Sequence, residues 1–255
     1  MKRRVVVEID LKALGRNYRR IVAHVKPAKV LCVLKANAYG LGVGDYAKAL
    51  ADAGCGMFGV AEPFEALELK RVLRPYGGKI DIQILSSVLP DEIGEMVRAG
   101  VILPITDLAE AKLVSAAAVR LGRTARVHFK LDTGMGRLGI LAKDALATIR
   151  EVKKLPALDC EGVFSHFPMA YDPKDPFTKR QIALFKRIVA DAAKEGLVFR
   201  KVHMAASDAI NNFPETAKKP FTMVRSGINL HGSFDPYGRK ALKVEPVLTL
   251  KTRVA

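Results

Sequence analysis

The chain has 255 residues, of which 49% are hydrophobic, and its formal net charge is +16. This length and apolar content are sufficient for one barrel-sized domain with a large core, and no apolar run reaches the roughly 18 residues typical of a membrane-spanning helix. Lys and Arg are spread over nearly every helix-like segment without interleaved aromatic residues, which favours a generally cationic surface over a nucleic-acid footprint.

The beginning of the chain and its cysteines indicate a cytoplasmic protein. The first residues are basic and then apolar, but Glu8 and Asp10 interrupt the apolar run too early for a signal peptide. Cys32, Cys55 and Cys160 are odd in number and show no CxxC spacing. We therefore predict reduced core cysteines and no metal site.

Helix-like and strand-like segments alternate along the chain. A helix is predicted from Ile9 to about Val25, where Pro27 ends the apolar spacing of three and four residues. Further helix-like segments follow at about residues 46–54, 63–73, 90–97, 107–122 and 177–194. Eight strand-like runs lie at residues 30–34, 57–61, 82–85, 101–105, 127–131, 162–167, 198–205 and 221–224.

This alternation predicts an α/β fold in which parallel strands are joined by helical crossovers. Eight such units within about 200 residues indicate a (β/α)8 TIM barrel. A doubly wound open sheet is the alternative, but no GxGxxG sequence follows the first strand. Residues 242–254 are strand-like, so we predict a barrel over residues 1–240 and the first strand of a C-terminal β-domain over residues 241–255.

One apolar strand ends abruptly at a lysine. Residues 30–34 are followed by Lys-Ala-Asn-Ala-Tyr-Gly at residues 35–40. A buried ammonium is costly unless its surroundings neutralise or pair it. An amine in this position is suited to Schiff-base formation with a carbonyl substrate or with pyridoxal phosphate. The alternative is a lysine that extends from the strand end into solvent.

Other polar residues also follow predicted strands, and the carboxyl ends of barrel strands are where active sites form. A phosphate after the seventh and eighth strands is a common anchor in such barrels. Taken one at a time, these residues also have structural interpretations, such as a core histidine or an ion pair. The set consists of Lys35, Tyr39, Lys130, Asp132, Arg137, His166, His203, Ser207, Arg225, Gly227 and Ile228.

Four motifs together resemble the alanine racemase family. They are Lys-Ala-Asn-Ala-Tyr-Gly at 35–40, His-Phe-Lys-Leu-Asp-Thr-Gly-Met-Gly-Arg-Leu-Gly at 128–139, Ser-His-Phe at 165–167 and Met-Val-Arg-Ser-Gly-Ile at 223–228. Residues 8–14 and 246–254 are similar to the family too, so the resemblance covers essentially the whole chain. It implies a pyridoxal-phosphate enzyme of fold type III that interconverts L- and D-alanine and supplies D-alanine for the cell wall.

The resemblance also implies roles for the residues that bind the cofactor. Lys35 would hold pyridoxal phosphate through a Schiff base and would act as one of two α-proton bases. Tyr39, Ser207 and the backbone N–H groups of Gly227 and Ile228 would bind the phosphate.

Four further roles follow from the same resemblance. Arg225 would face the pyridine nitrogen, and a guanidinium cannot accept the ring proton. His166 would support Arg225 and the ring. Arg137 would contact the phenolic oxygen of the cofactor and the substrate. Lys130 matches a position that is often carbamylated, which would create an anion that orients Arg137.

The chain departs from the family pattern at several positions. Leu41, Ala206, Ser226 and His231 stand where the family often has His, Asn, Pro and Tyr, and the second and fourth of these concern the phosphate site. Racemisation needs a second base on the opposite face of the substrate. In the family this is a tyrosine from the C-terminal domain of the partner subunit in a head-to-tail homodimer. We expect this chain to lack it, to bind pyridoxal phosphate and to racemise poorly.

Other functions remain open at this stage. They are a racemase for another small amino acid, a decarboxylase or aldolase on the same barrel, a non-catalytic pyridoxal-phosphate homeostasis protein, and a polyanion-binding protein. We expect a small amino-acid substrate and neither a nucleic-acid nor a membrane partner.

Overall fold

The computed structural model describes residues 4–253, so Met1–Arg3 and the predicted end of the last strand at Val254 lie outside the described part. The strands are β1 (Val5–Ile9), β2 (Lys29–Val33), β3 (Met57–Val60), β4 (Asp81–Ile84), β5 (Leu103–Ile105), β6 (Ala125–Asp132), β7 (Ile140–Leu141), β8 (Leu158–Phe164), β9 (Lys201–His203), β10 (Met223–Ser226) and β11 (Leu248–Thr252). The helices are α1 (Leu11–Val25), α2 (Lys35–Tyr39), α3 (Val43–Asp52), α4 (Pro63–Val72), α5 (Ile93–Ala99), α6 (Leu108–Arg120), α7 (Ala145–Lys153), α8 (Pro176–Lys194) and α9 (Ser207–Asn212).

Parallel strands form a ring in the order β4–β3–β2–β10–β9–β8–β6–β5. Backbone hydrogen bonds join its two ends, because Ile84 N donates to Ile102 O at 3.0 Å and Ile102 N donates to Ile82 O at 2.8 Å. The predicted (β/α)8 barrel is therefore confirmed. No helix in residues 4–253 is long and apolar enough to cross a membrane.

Some of the helices begin at capping side chains that the sequence indicates. The carboxylate of Asp10 accepts a hydrogen bond from Ala13 N at 2.9 Å at the start of α1, and that of Asp107 accepts one from Glu110 N at 2.7 Å at the start of α6. Such caps satisfy N–H groups that have no partner within the helix. The apolar faces of the helices then pack on the outside of the barrel.

The barrel interior is divided between apolar and polar side chains. Leu31, Val33, Met57, Ile102 and Met223 form a small apolar cluster there. Charged and imidazole side chains from β4, β6, β8 and β9 fill much of the remainder, and many of them are buried. Buried polar groups usually have hydrogen-bond partners, but here the side-chain amide of Gln83 and Nε2 of His128 have none within the described residues.

The structure differs from the predicted elements in several places, including α7, β9 and β1. Residues 145–153 form α7, in a connection where the sequence has little punctuation. The seventh strand, predicted over residues 198–205, is limited to β9, and Val198 at the predicted start lies outside it with 68% of its surface exposed. Residues 5–9 form an unpredicted strand that pairs antiparallel with β11, so the terminal strand is shorter than expected and has a partner. Whether residues 241–255 begin a second domain stays a prediction.

Candidate active site

A cavity of about 400 Å³ lies at the carboxyl ends of the barrel strands. Its walls come from several strand ends and the loops after them, as expected for a barrel site. All the candidate cofactor and catalytic residues line this one cavity: Lys35, Tyr39, Lys130, Arg137, His166, Ser207, Arg225, Gly227 and Ile228. His203 does not line the cavity but contacts Arg225, which does, and Asp132 ends the strand before the loop that carries Arg137.

Lys35 follows β2 after one intervening residue, Leu34, and lies at the cavity, but it is exposed rather than buried. The strand before it is buried as predicted, with Leu31 and Cys32 at 0% exposure. An apolar sequence pattern predicts burial along a strand, but it does not indicate whether there is free space beyond the strand end. The amine therefore faces an accessible cavity that it shares with Ser207 and Arg225.

The backbone after Lys35 makes a left-handed turn. Residues 36–39 have φ angles between 51° and 58°, although none of them is glycine. L-residues in this conformation cost roughly 1–2 kcal/mol each. A strained backbone of this kind persists only when its surroundings hold it in place, and it is typical of functional sites.

Glu65 on α4 holds this turn. Its carboxylate accepts hydrogen bonds from Ala36 N at 2.5 Å and Ala61 N at 2.8 Å. The side chain of Asn37 adds a second restraint by accepting from Val43 N at 2.8 Å. Glu65 was not among the predicted site residues; it also forms a capping box with Glu62, but a glutamate at the first position does not match the usual sequence signature.

Tyr39, Ser207 and Gly227 form a compact group of hydrogen-bond donors. A Cβ atom at residue 227 would collide with Tyr39 Oη, so glycine allows the phenol to lie close to the backbone there. Ser207 Oγ accepts a hydrogen bond from Gly227 N at 3.2 Å. Burial raises the pKa of Tyr39 to about 12, so the phenol keeps its proton at neutral pH. Hydroxyl and backbone N–H groups gathered in this way suit a phosphate.

His231, one of the departures from the family pattern, packs behind Tyr39. The two rings meet edge to face with centroids 5.0 Å apart, and His231 Nδ1 lies 2.7 Å from Tyr46 Oη. Burial lowers the pKa of His231 to about 4, so the ring is neutral. His231 thus supports the phenol while Tyr39 keeps its place in the cavity wall.

Arg225 lies on β10 and is almost completely buried. Nη1 donates to His203 Nδ1 at 2.8 Å, and Nη2 donates to Ser165 O at 2.7 Å and Met204 O at 2.9 Å. Burial, together with Arg137, lowers its pKa to about 9, which still leaves it charged at neutral pH. Within the described residues the Nε–H group makes no hydrogen bond, so it remains available to a ligand.

His166 lies beside this guanidinium at the cavity wall. Its Nδ1 is 3.2 Å from Arg225 Nη2 and must accept, because a guanidinium only donates. Burial and the neighbouring cations, Arg225 foremost, lower the pKa of His166 to about 3. The ring is therefore neutral, with its proton on Nε2.

Lys130 on β6 is buried below the loop that carries Arg137. Its Nζ donates to Leu131 O at 3.0 Å and Leu138 O at 3.2 Å. Burial, assisted by Arg225, lowers the pKa of Lys130 to about 8. A fraction of this amine is consequently neutral near neutral pH.

The loop after β6 is anchored by Asp132. Its carboxylate accepts hydrogen bonds from the N–H groups of Gly134, Met135 and Gly136 at 2.8–2.9 Å. Although burial acts in the opposite direction, these bonds lower the pKa of Asp132. The carboxylate thus fixes the turn that presents Arg137 to the cavity.

Phe164 is a site residue that the sequence does not signal. Its ring stacks on His203 at an interplanar angle of 3° and a centroid distance of 5.0 Å. The Arg225 guanidinium lies 5.6 Å from the ring centroid and the Lys130 ammonium 5.8 Å from it, within cation–π range. No cluster of three or more metal-ligating side chains occurs in residues 4–253.

The fold and cavity define a class of protein: a (β/α)8 barrel whose strand ends present an accessible amine, a buried guanidinium and a group of donors suited to a phosphate. We call this last group, Tyr39, Ser207 and Gly227, the phosphate cradle. The sequence profile of the family described as "Alanine racemase, N-terminal domain" matches residues 9–235. The alanine racemase of Desulforamulus reducens is 35% identical over 258 residues, covering 100% of this chain and 68% of that protein. The chain belongs to the alanine racemase N-terminal domain family.

Solved structures support the same relationship. An alanine racemase from Bartonella henselae with covalently bound pyridoxal phosphate matches with a TM-score of 0.87 and 29% identity, over 99% of this chain and 67% of that chain. A histidine racemase from Leuconostoc mesenteroides matches with a TM-score of 0.87 and 26% identity, over 99% of this chain and 66% of that chain. The chain thus spans about two thirds of the length of these relatives.

Glu65→Ala is expected to lower the free energy of unfolding by about 1.5–3 kcal/mol, because it removes a charged acceptor from backbone N–H groups in a strained turn. Glu68→Ala on the same helix is the control, since Glu68 makes no ion pair within the described residues, and we expect a change within about 0.5 kcal/mol. Urea denaturation followed by circular dichroism measures both. Equal stability of the two variants would contradict the role of Glu65.

Proposed function

We propose that this chain is the cofactor-binding barrel of a pyridoxal-phosphate-dependent alanine racemase, an isomerase. The observation that carries the proposal is the convergence of Lys35, Arg225 and the Tyr39–Ser207–Gly227 cradle on one cavity. Family membership and the covalently bound cofactor of the Bartonella henselae relative support it.

The residues present fit pyridoxal phosphate. Lys35 supplies an amine for the aldehyde carbon, and the hydroxyl groups of Tyr39 and Ser207 lie together at the cavity beside Gly227, where phosphate oxygens can accept their hydrogen bonds. The N–H group of Ile228 joins this phosphate site. The free Nε–H of Arg225 suits the ring nitrogen. When bound, the cofactor supplies an electron-accepting ring that stabilises negative charge at the α-carbon of the substrate.

Each side chain then has a limited task. Lys35 binds the cofactor and moves a proton at the α-carbon from one face. Arg225 donates a hydrogen bond to the ring nitrogen and cannot take up its proton, because a guanidinium has no acceptor. His166 holds Arg225, while Arg137 provides positive charge for the phenolic oxygen and the substrate. Water-accessible space at the cavity mouth admits a small amino acid.

We further propose the remaining features of the family for the full protein. These are a second base from the partner subunit of a head-to-tail homodimer, a cytoplasmic location and a role in D-alanine biosynthesis for peptidoglycan. Of the two α-proton bases that the resemblance implies, Lys35 is the one that these 255 residues contain. We therefore expect impaired racemisation by this chain.

A racemase for another amino acid is the second candidate. The histidine racemase of Leuconostoc mesenteroides has the same fold at 26% identity, so the barrel alone does not select the side chain of the substrate. A non-catalytic pyridoxal-phosphate barrel is the third, and an exchange assay separates it from both racemases.

Lys35→Ala is expected to abolish the visible absorbance of lysine-bound cofactor when pyridoxal phosphate is added, because Lys130, which also lines the cavity, is buried and its amine donates to two backbone carbonyls. Lys143→Ala, at an exposed lysine outside the cavity, should retain the full absorbance. Titration followed by absorbance spectroscopy provides the measurement. A band that persists unchanged in Lys35→Ala would refute cofactor attachment at residue 35.

Exchange of the α-proton is expected mainly from D-alanine, because in the family lysine serves the face from which the D form loses its proton. A positioned general base accelerates proton transfer by about 10²- to 10⁴-fold, so the two enantiomers should differ by about 10²-fold or more. Proton NMR in deuterium oxide, with purified chain and cofactor, follows each enantiomer. Equal rates would contradict a single base, and no exchange from either would favour the non-catalytic barrel.

Carbamylation of Lys130 is expected to increase between pH 7 and pH 9, because only the neutral amine reacts with carbon dioxide and the pKa of Lys130 is lowered to about 8. Carbon NMR with ¹³C-labelled bicarbonate measures the carbamate. The signal should be absent from Lys130→Ala and present in Lys143→Ala. A spectrum identical in the parent chain and in Lys130→Ala would refute the modification.

A further inference from the structure

A row of buried polar side chains crosses the barrel interior from Arg225 towards the end of the barrel opposite the cavity. Arg225 Nη1 lies 2.8 Å from His203 Nδ1, and His203 Nε2 lies 3.2 Å from His128 Nδ1. His128 Nε2 in turn lies 3.4 Å from Glu161 Oε1. His203, His128 and Glu161 have exposures of 0%, 0% and 3%, so solvent cannot substitute for these contacts. We call these four residues the interior relay.

The two ends of the interior relay determine its direction. Arg225 can only donate hydrogen bonds. Glu161 Oε1 lies 3.0 Å from Arg126 Nη2 and 3.2 Å from Lys201 Nζ, and Glu161 Oε2 lies 3.3 Å from Arg200 Nη2. Although burial acts in the opposite direction, His128, Lys201 and Arg126 lower the pKa of Glu161 to about 2, so it is ionised and can only accept.

Only one placement of the ring protons on His203 and His128 is compatible with a donor at Arg225 and an acceptor at Glu161. Burial lowers the pKa of both His128 and His203, so both rings are neutral. Each neutral ring has one donor and one acceptor nitrogen. Because Arg225 donates to His203 Nδ1, the proton of His203 must be on Nε2. The same reasoning places the proton of His128 on Nε2, the nitrogen that lies 3.4 Å from Glu161 Oε1; this contact is electrostatic and lacks the geometry of a hydrogen bond.

The strand that carries Glu161 is shaped around the interior relay. The pairing of β6 with β8 shifts between Val127, opposite Cys160, and His128, opposite Gly162, which leaves Glu161 as the extra residue of a bulge. Bulges redirect a side chain. A Cβ at residue 162 would lie 2.6 Å from His128 ring atoms, so glycine makes room for this ring.

Arg225 makes no ion pair within residues 4–253, and its Nη atoms are held by His203, His166 and backbone carbonyls. We propose that Glu161, at the far end of the barrel, is a positioning residue that acts through the fixed tautomers of His128 and His203 to aim the Arg225 guanidinium at the cavity. This inference rests on the proposed function for its ligand, the ring nitrogen of pyridoxal phosphate, but not for the tautomers themselves.

The tautomers can be measured without cofactor. In the parent chain labelled with ¹⁵N-histidine, long-range proton–nitrogen spectra between pH 6 and pH 8 are expected to show Nε2 protonated and Nδ1 bare at both His128 and His203. Spectra of His128→Gln and His203→Gln assign the signals by their loss. A protonated Nδ1, a mixture of tautomers or a doubly protonated ring at either position would overturn the proposal.

Glu161→Gln tests the effect on the cavity. Glutamine offers one acceptor oxygen to the four donors around residue 161, so we expect mixed tautomers at His128 and His203 and pyridoxal-phosphate affinity weakened by about tenfold. Asp81→Asn is the matched control, because Asp81 pairs with the same Arg126 and Lys201 but is outside the interior relay. It should leave the tautomers unchanged and the affinity within about twofold.

The outcomes separate this inference from the proposed function. Parental tautomers and affinity in Glu161→Gln would overturn the positioning role, as would equal losses of affinity in Glu161→Gln and Asp81→Asn. If the parent chain forms no Lys35-dependent absorbance, the proposed function fails, while the tautomer spectra still decide whether the interior relay exists.

Discussion

The buried guanidinium of Arg225 is the contact on which the cavity and the barrel interior both depend. A charge removed from water requires several hydrogen-bond partners, and Arg225 obtains them from the ends of two neighbouring strands: Ser165 and His166 after β8, and His203 and Met204 at the end of β9. Satisfying this one group therefore determines the orientation of the imidazoles around it. An apolar side chain in place of His203 would remove the acceptor of Arg225 Nη1.

The second requirement is a backbone that turns sharply after Lys35. The left-handed turn brings Tyr39 back over the cavity beside Gly227, so that the amine and the phosphate cradle share one wall. Its conformational cost is offset by the Glu65 carboxylate on α4. Helix α4 thus stabilises the strained turn although it does not itself line the cavity.

Much of the barrel and of the candidate site was predictable, because both depend on local patterns. Apolar runs ending at polar residues indicated the strands and their carboxyl ends, and parallel strands bring those ends together. The pattern was less informative for α7, whose boundaries have weak signals, and for β1, which is a strand only because β11 pairs with it. Pairing between segments more than 200 residues apart leaves no local signature.

The amino-acid sequence by itself determined the fold class, the family and the set of residues that could face the cavity, because periodicity and motif spacing are properties of the chain alone. Only the tertiary structure decided that Lys35 is accessible, that Glu65 holds its turn and that Glu161 connects through His128 and His203 to Arg225. These are relations between side chains on different elements. They depend on free space, burial and hydrogen-bond direction, which exist only once the strands have closed into a barrel.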